Sequence, residues 1–145
     1  MDKFVNQLKI AFASQYAFAI KAQNFHWNVE GSDFYQLHQL FDTIYGEVYG
    51  AVDDFAENIR KIKAYTPASL ERFSALTAIS DEVEVLDPSA MVAELLRDAE
   101  KMQEIMKVLF TEAEARGENG LSNFLADRQD AFAKHAWFLR ATLKA

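Results

Sequence analysis

Helical periodicity across 37–62 constrains the fold of this chain more than any other feature of its sequence. Apolar side chains recur there every three or four positions, which is the spacing of one face of an α-helix. They are Leu37, Phe41, Ile44, Val48, Val52, Phe55, Ile59 and Ile62. We predict a helix that begins after an N-cap at Ser32 and ends near Ala64, shortly before Pro67. Its apolar stripe is the side that faces the core.

Two pairs of side chains that commonly bind metals lie on a second stripe of the same helix. One pair is His38 and Asp42, and the other is Asp53 and Glu57. At about 100° per residue, this stripe lies more than about 90° from the apolar one, so both pairs face away from the core. The pairs are roughly 16 Å apart along the axis, whereas metal–ligand bonds are only about 2.0–2.6 Å long. One chain therefore cannot bring both pairs to one ion.

A second copy of the helix would solve this problem. If two copies crossed antiparallel about a two-fold axis near Glu47 and Val48, the pair that contains histidine would meet the acidic pair of the other copy. The symmetry would create two equivalent sites per dimer. Gly46 and Gly50 flank this axis, and each costs a helix interior about 1 kcal/mol relative to alanine. Close approach of two backbones would explain both glycines.

The rest of the sequence predicts three more long helices and one long connection. These helices cover 3–28, 88–117 and 121–143. The connection over 64–87 is longer than loops in helix bundles normally are, and 69–73 suits one or two helical turns. Parallel second and third helices would require such a crossover. We predict an all-α four-helix bundle with a short extra helix in the crossover between helices 2 and 3, forming a single domain over 1–145.

Composition excludes several classes of protein. The 145 residues include no cysteine, so disulfides and thiolate metal sites are impossible, and a reducing cytoplasm is the expected location. No apolar run approaches the roughly 20 residues that span a bilayer, and the N-terminus lacks a signal-peptide pattern. The net charge is −7, and only Lys3 precedes the first helical periodicity, so a lysine-rich DNA-binding tail is not expected. We predict a cytoplasmic protein that binds neither membranes nor DNA.

The residues around the two pairs form a longer motif. It reads His26-Trp27-Asn28-Val29-x-Gly31, then Phe34, Leu37-His38, Phe41-Asp42, Tyr45 and Asp53-x-x-x-Glu57-x-x-Arg60. This motif resembles the signature of the Dps family, the miniferritins called DNA-binding proteins from starved cells. The Pro88-led helix and the C-terminal KHAWFLRATL segment also fit, so the resemblance covers nearly the whole chain. It implies a ferritin-like four-helix subunit and a hollow dodecamer built from two-fold dimers.

The resemblance also implies a ferroxidase centre at the two-fold interface. The ligands would be His26, His38 and Asp42 from one subunit and Asp53 and Glu57 from its partner, with Trp27 as a neighbouring aromatic residue. Ferrous iron would be oxidised there, preferentially by hydrogen peroxide, and ferric mineral would be stored in the cavity. Imidazole and carboxylate ligands without thiolate suit iron, and zinc or manganese could substitute.

The sequence also leaves alternatives to this function. A non-enzymatic shell that compacts the nucleoid, or a structural interface occupied by zinc, would use the same assembly. Three acids near the start of the fourth helix could line a pore for iron at a three-fold axis, but ordinary solvent exposure is the simpler explanation for each of them. These acids are Glu118, Asp127 and Asp130. Asn123 also weakens the pore hypothesis, because it stands where some members of the family that this chain resembles have an acid.

A metal site inside a single bundle is not expected. Larger ferritins and related proteins place Glu-x-x-His motifs in the bundle core. The residues three positions before the histidines of this chain are Gln23, Tyr35 and Phe132. His135 has no acid at ligand spacing on its own helix, so we interpret it as structural.

Overall fold

The computed structural model describes residues 2–144, and helices are the only regular secondary structure in that range. They are α1 (Asp2–Asn28), α2 (Phe34–Gly50), α3 (Val52–Lys61), α4 (Leu70–Leu76), α5 (Pro88–Ala115) and α6 (Asn119–Leu143). α5 packs along α6, and α1 packs against α2, α3, α4 and α5. The predicted all-α four-helix bundle is confirmed, and α4 is the short helix in the crossover. Within 2–144, no helix is both long and apolar enough to cross a membrane.

Phenylalanine side chains fill the centre of the bundle. Five of them are fully enclosed, namely Phe18, Phe25, Phe41, Phe55 and Phe132. Each such side chain contributes about 1.5–3 kcal/mol on burial, so this cluster is a main source of stability. Six of the eight apolar residues in the predicted stripe are buried, and Val52 and Ile62 pack against the core while partly buried. The predicted core face is therefore confirmed.

The long second helix is interrupted, so the prediction of one continuous helix over 32–64 was wrong. α2 and α3 are separated by Ala51, whose amide donates to the carbonyl of Val48, three residues back, at 3.3 Å. The side chain of Gln15 on α1 donates to the same carbonyl at 3.1 Å. A side chain that inserts into the main-chain hydrogen bonds is a known cause of helix kinks.

A tight turn at Gly31 joins α1 to α2. Its φ of +117° is accessible to glycine but strained for other residues. The amide of Phe34 donates to the carbonyl of Gly31 at 3.1 Å, which closes the turn. The N-cap of α2 is Asp33, without a side-chain capping bond, so the prediction of Ser32 as the cap was wrong. This turn brings the end of α1 beside the first turns of α2.

The crossover between α3 and α5 is anchored to the bundle. Ser69 caps α4, because its Oγ accepts a hydrogen bond of 3.2 Å from the amide of Arg72. Further along, the amide of Ala78 donates to Oγ of the buried Ser14 at 2.8 Å, and Nζ of Lys101 donates to the carbonyl of Ala78 at 2.7 Å. The predicted helical turns after Ser69 are confirmed.

Candidate metal centre

Two histidines meet where α1 ends and α2 begins. The rings of His26 and His38 stack with their centroids 4.0 Å apart and their planes at 17°. Nδ1 of His26 lies 2.8 Å from the carbonyl oxygen of His38, and Nδ1 of His38 lies 2.7 Å from the carbonyl oxygen of His26. Because a carbonyl oxygen only accepts, each Nδ1 must carry the proton and donate it. In its neutral form, each ring therefore keeps a lone pair on Nε2, which is the arrangement that metal-binding histidines use.

A carboxylate faces one of these free nitrogens. Asp42 lies one turn after His38, and its Oδ1 is 3.6 Å from Nε2 of His26. The side chain of Asp42 is 56% exposed, whereas that of His26 is 17% exposed. Phe34 stacks against His38 with centroids 4.9 Å apart, so an aromatic ring shields this end of the group. The structure thus brings together the three residues predicted to come from one subunit, which we call the histidine group.

Trp27 follows His26 directly in the chain. Its side chain is 65% exposed, so a large apolar surface is open to solvent at the end of α1.

A second cluster lies at the start of α3. Asp53, Asp54 and Glu57 are all exposed, and one carboxylate oxygen from each lies within 4.8 Å of the others. We call these residues the acidic group. The sequence reasoning named Asp53 and Glu57 but missed Asp54. Asp54 precedes Glu57 by three residues, a spacing that places two side chains on neighbouring parts of a helix surface.

The two groups differ in how closely their possible ligand atoms lie to one another. Among residues 2–144, the acidic group alone places three ligand atoms within 4.8 Å of one another. The histidine group would bind one ion with all its members only after a local adjustment, and the exposed Asp42 side chain is the part most free to move. By helix geometry, roughly 16 Å separates the pairs named in the sequence. Each group therefore brings together only some of the ligand-type side chains named in the sequence.

A polar network that reaches from the bundle core to its surface uses the third histidine. The carboxylate of Glu47 accepts hydrogen bonds from His135 Nε2 at 2.7 Å and from Arg128 Nη2 at 3.1 Å. Arg128 Nε also donates to Oε1 of the buried Gln15 at 3.2 Å. Burial raises the pKa of Glu47, but the hydrogen bonds from His135 and Arg128, together with the charges of both, outweigh it and lower the pKa to about 2. His135 therefore has an acidic partner from another helix, and the adjacent guanidinium neutralises that acid.

The acids proposed for a pore are only partly brought together. Glu118 and Asp127 line one pocket of about 290 Å³, which also contains Lys61 and Asn123. Asp130 is exposed and is not part of the pocket lining. The mixture of charges makes this pocket less acidic than the sequence alone indicated.

Comparisons with known proteins agree with this architecture. Residues 5–145 match the family model of the ferritin-like domain. Antigen TpF1 of Treponema pallidum is 32% identical over 127 residues, which cover 87% of this chain and 72% of that protein. The DNA protection during starvation protein of Brevibacillus brevis is 31% identical over 129 residues, covering 86% of this chain and 84% of that protein.

A solved structure extends the comparison to three dimensions. The Dps protein of Vibrio cholerae O1, described as a member of a broad superfamily of ferritin-like diiron-carboxylate proteins, superposes with a TM-score of 0.93 at 25% identity. The match covers 98% of this chain and 89% of that one. Sequence and fold therefore agree, and the chain belongs to the Dps family of ferritin-like miniferritins.

Proposed function

We propose that this protein is an iron-storing ferroxidase. It oxidises ferrous iron, preferentially with hydrogen peroxide, at centres shared between two subunits, and stores ferric mineral in a hollow dodecamer. The observation that carries this proposal is the division of ligands: of the two groups, only the histidine group contains imidazoles, and the acidic group lies apart from it on α3. This division suits two chains that cross antiparallel, because each centre then receives ligands of both kinds.

The roles of the ligands follow from their surroundings. Nε2 of His26 and Nε2 of His38 supply neutral nitrogen donors, since each Nδ1 is engaged by a carbonyl. Asp42 and the partner's Asp53 and Glu57 supply carboxylate oxygens and compensate the charge of the ions. Nitrogen and oxygen donors of this kind bind iron, and zinc or manganese would compete for the same positions.

The proposed reaction balances with the peroxide alone as oxidant. Two ferrous ions each give one electron to a molecule of hydrogen peroxide, its O–O bond breaks, and both oxygens leave as water or hydroxide. Hydrolysis of the ferric ions then releases protons and forms the mineral. The protein consumes both reactants that would otherwise generate hydroxyl radicals, and so protects the cell against oxidative damage.

Iron has to reach these centres through the shell. We propose a path past Glu118 and Asp127, whose carboxylates share one pocket, with Asp130 contributing from the surface nearby. Carboxylates concentrate cations at a pore mouth by electrostatic attraction.

The central test removes one ligand from each group. The double variant Asp42→Ala/Glu57→Ala should lose peroxide-driven ferrous oxidation by about 10-fold or more. A matched control, Glu100→Ala/Glu112→Ala, makes the same change in charge at exposed acids of α5 outside both groups. Unchanged kinetics in the first variant, or an equal loss in the control, would remove these residues from the mechanism.

Assembly provides an independent test. A shared centre requires at least a dimer, and the proposed shell has about twelve times the 16.5 kDa mass of the chain. Mass photometry with and without iron should find the shell in both conditions. A stable monomer would contradict every claim that rests on a shared site.

The names of several relatives refer to DNA protection, which favours a DNA-compacting shell as a second candidate. The net charge of −7 opposes it, because phosphate backbones attract clusters of lysine and arginine. A gel-shift assay at moderate salt should show free DNA at every protein concentration, and a tight complex would favour the shell. Anomalous scattering at the zinc edge would reveal a zinc-filled structural interface instead.

A further inference from the structure

The break in the long second helix lies between the two groups of proposed ligands. Only Ala51 separates α2, which carries Asp42, from α3, which carries Asp53 and Glu57. The conformation at Ala51 sets the direction of α3, and α3 carries every member of the acidic group. Whatever produces this break therefore affects the direction in which α3 presents these carboxylates relative to α2.

One hydrogen bond at the break comes from a distant part of the chain. In a continuous helix, the carbonyl of Val48 would accept the amide four residues later. Here it accepts the amide of Ala51 at 3.3 Å and the side-chain amide of Gln15 at 3.1 Å. A carbonyl oxygen has two lone pairs, so these two donors occupy it. The side chain from α1 thus takes part of the main-chain bonding that would continue the helix.

The side chain of Gln15 is itself held at both ends. Its Nε2 donates to Val48, and its Oε1 accepts from Nε of Arg128 at 3.2 Å. Arg128 in turn binds Glu47, the residue next to Val48. These hydrogen bonds connect α1 to α2 directly and also through α6. The amide of Gln15 therefore has one preferred orientation.

Gln15 occupies a position that an apolar side chain could fill. It is fully buried, and neighbours on its helix such as Phe12 and Phe18 are in the hydrophobic core. An amide in such a place is costly unless each polar atom is hydrogen-bonded, and here both are. Simple core packing does not require glutamine at this position, whereas the hydrogen bonds to Val48 and Arg128 use both ends of its amide.

We infer that Gln15 is a positioning residue for the proposed metal centre. By binding the carbonyl of Val48 it interrupts the helix at Ala51 and sets the direction in which α3 presents Asp53 and Glu57. This inference rests on the proposed function, which makes Asp53 and Glu57 metal ligands. The hydrogen bond from Gln15 to Val48 and its effect on the helix can be measured without any catalytic turnover.

The test compares Gln15→Met with the wild type and with Ser14→Ala. Methionine has nearly the same length but no amide, so the helix break loses its external donor. Ser14 is equally buried and also hydrogen-bonded, but it contacts Ile10 and Ala78 rather than α2. Co²⁺ titrations of the assembled proteins, followed by visible absorption, report both affinity and coordination geometry.

We expect Gln15→Met to lower Co²⁺ affinity by about 10-fold or more and to change the absorption bands. Ser14→Ala should keep the affinity and the spectrum of the wild type. Wild-type binding by Gln15→Met, an equal loss in Ser14→Ala, or a wild type that binds no Co²⁺ at these residues would overturn the inference. Failure of the proposed function would instead appear as a wild type that binds Co²⁺ but does not oxidise ferrous iron.

A crystal structure of the wild type gives a check that does not depend on how the variant folds. It should show Nε2 of Gln15 bound to the carbonyl of Val48 and the helix interrupted at Ala51. An uninterrupted helix, or a Gln15 side chain turned away from Val48, would overturn the inference whatever the variants do.

Discussion

His135 on α6 and Glu47 on α2, 88 positions apart in the chain, are joined by a 2.7 Å hydrogen bond from Nε2 to Oε1. Arg128 binds the same carboxylate, so two basic groups of α6 converge on one acid of α2. Burial alone would raise the pKa of Glu47, but these partners lower it from 4.5 to about 2. The carboxylate therefore stays ionised well into acidic solution and fixes α2 to α6.

The low pKa of Glu47 predicts a specific acid sensitivity. A carboxyl with a depressed pKa in the folded state stabilises the protein fully above its unfolded value, near 4.5, and loses this contribution as the pH falls toward about 2. Because the Glu47 side chain is still 39% exposed, Glu47→Gln should be less stable than the wild type at neutral pH by only about 0.5–1.5 kcal/mol. Urea unfolding at a series of pH values should show this difference shrinking below pH 4.5. A difference that stays constant down to the acid limit would contradict the proposed ion pairs.

The reciprocal hydrogen bonds of His26 and His38 predict different effects for two substitutions of His26. One should affect mainly metal binding, and the other should affect stability. In His26→Asn, the amide nitrogen takes the place of Nδ1 and can still donate to the carbonyl of His38, but nothing replaces Nε2. In His26→Gln, the amide reaches the position of Nε2, and the bond to that carbonyl is lost. We expect the asparagine variant to bind Co²⁺ about 10-fold or more weakly than the wild type. The glutamine variant should lose about 0.5–1.5 kcal/mol of stability without metal.

Thermal unfolding of the metal-free proteins and Co²⁺ titration would measure both effects. If asparagine destabilised the fold as much as glutamine, the bond from Nδ1 would contribute nothing. If the asparagine variant bound Co²⁺ like the wild type, Nε2 of His26 would not be a ligand.

Much of this architecture could be predicted because it depends on local periodicity. The apolar stripe of the second helix is read directly from residues three and four apart, and it identifies the buried face correctly. The start of α5 is equally local, since Pro88 suits the first turn of a helix but not its interior. The motif that contains His26 and His38 is contiguous enough to indicate that they act together.

The features that could not be predicted depend on residues far apart in the chain. Gly50, beside Ala51, weakens a helix by only about 1 kcal/mol. The donor that competes for the carbonyl of Val48 is Gln15, 33 positions earlier. The partner of His135 is equally remote, so the absence of an acid on its own helix said nothing about its contacts. Reciprocal bonds between the imidazoles and the main chain require knowledge of the turn geometry at Gly31.

A buried ion pair between α1 and α5 predicts strong non-additivity between two substitutions. Nζ of Lys21 lies 2.6 Å from Oδ2 of Asp98 and 3.0 Å from Glu94, and the side chains of Lys21 and Asp98 are only 3% and 4% exposed. Lys21→Met would leave a buried carboxylate without its main cation and should cost about 3–5 kcal/mol. Arg97 also contacts Asp98, at 3.3 Å, but its side chain is largely exposed and compensates poorly.

The double variant Lys21→Met/Asp98→Leu should recover part of that loss, because the two most deeply buried charges are removed together, whereas Glu94 still loses its cation. Urea unfolding of the wild type, both single variants and the double variant gives the interaction energy. If the two single losses simply added, the pair would not be coupled as its geometry requires.

Replacing the glycines of α2 by alanine should weaken assembly, although the same change favours the helix itself. Gly46 and Gly50 are exposed, and a methyl group added at either would meet no atom of the described chain within 4 Å. Alanine is favoured over glycine in a helix by up to about 1 kcal/mol, so Gly46→Ala should not destabilise the subunit itself.

If two copies of α2 cross closely at this point, the added methyl groups of one copy would meet those of the other. We therefore expect Gly46→Ala/Gly50→Ala to shift mass photometry toward smaller species at low protein concentration. Unaltered assembly of the double variant would show that the backbones do not approach each other there, and the two-fold axis would have to lie elsewhere on the subunit.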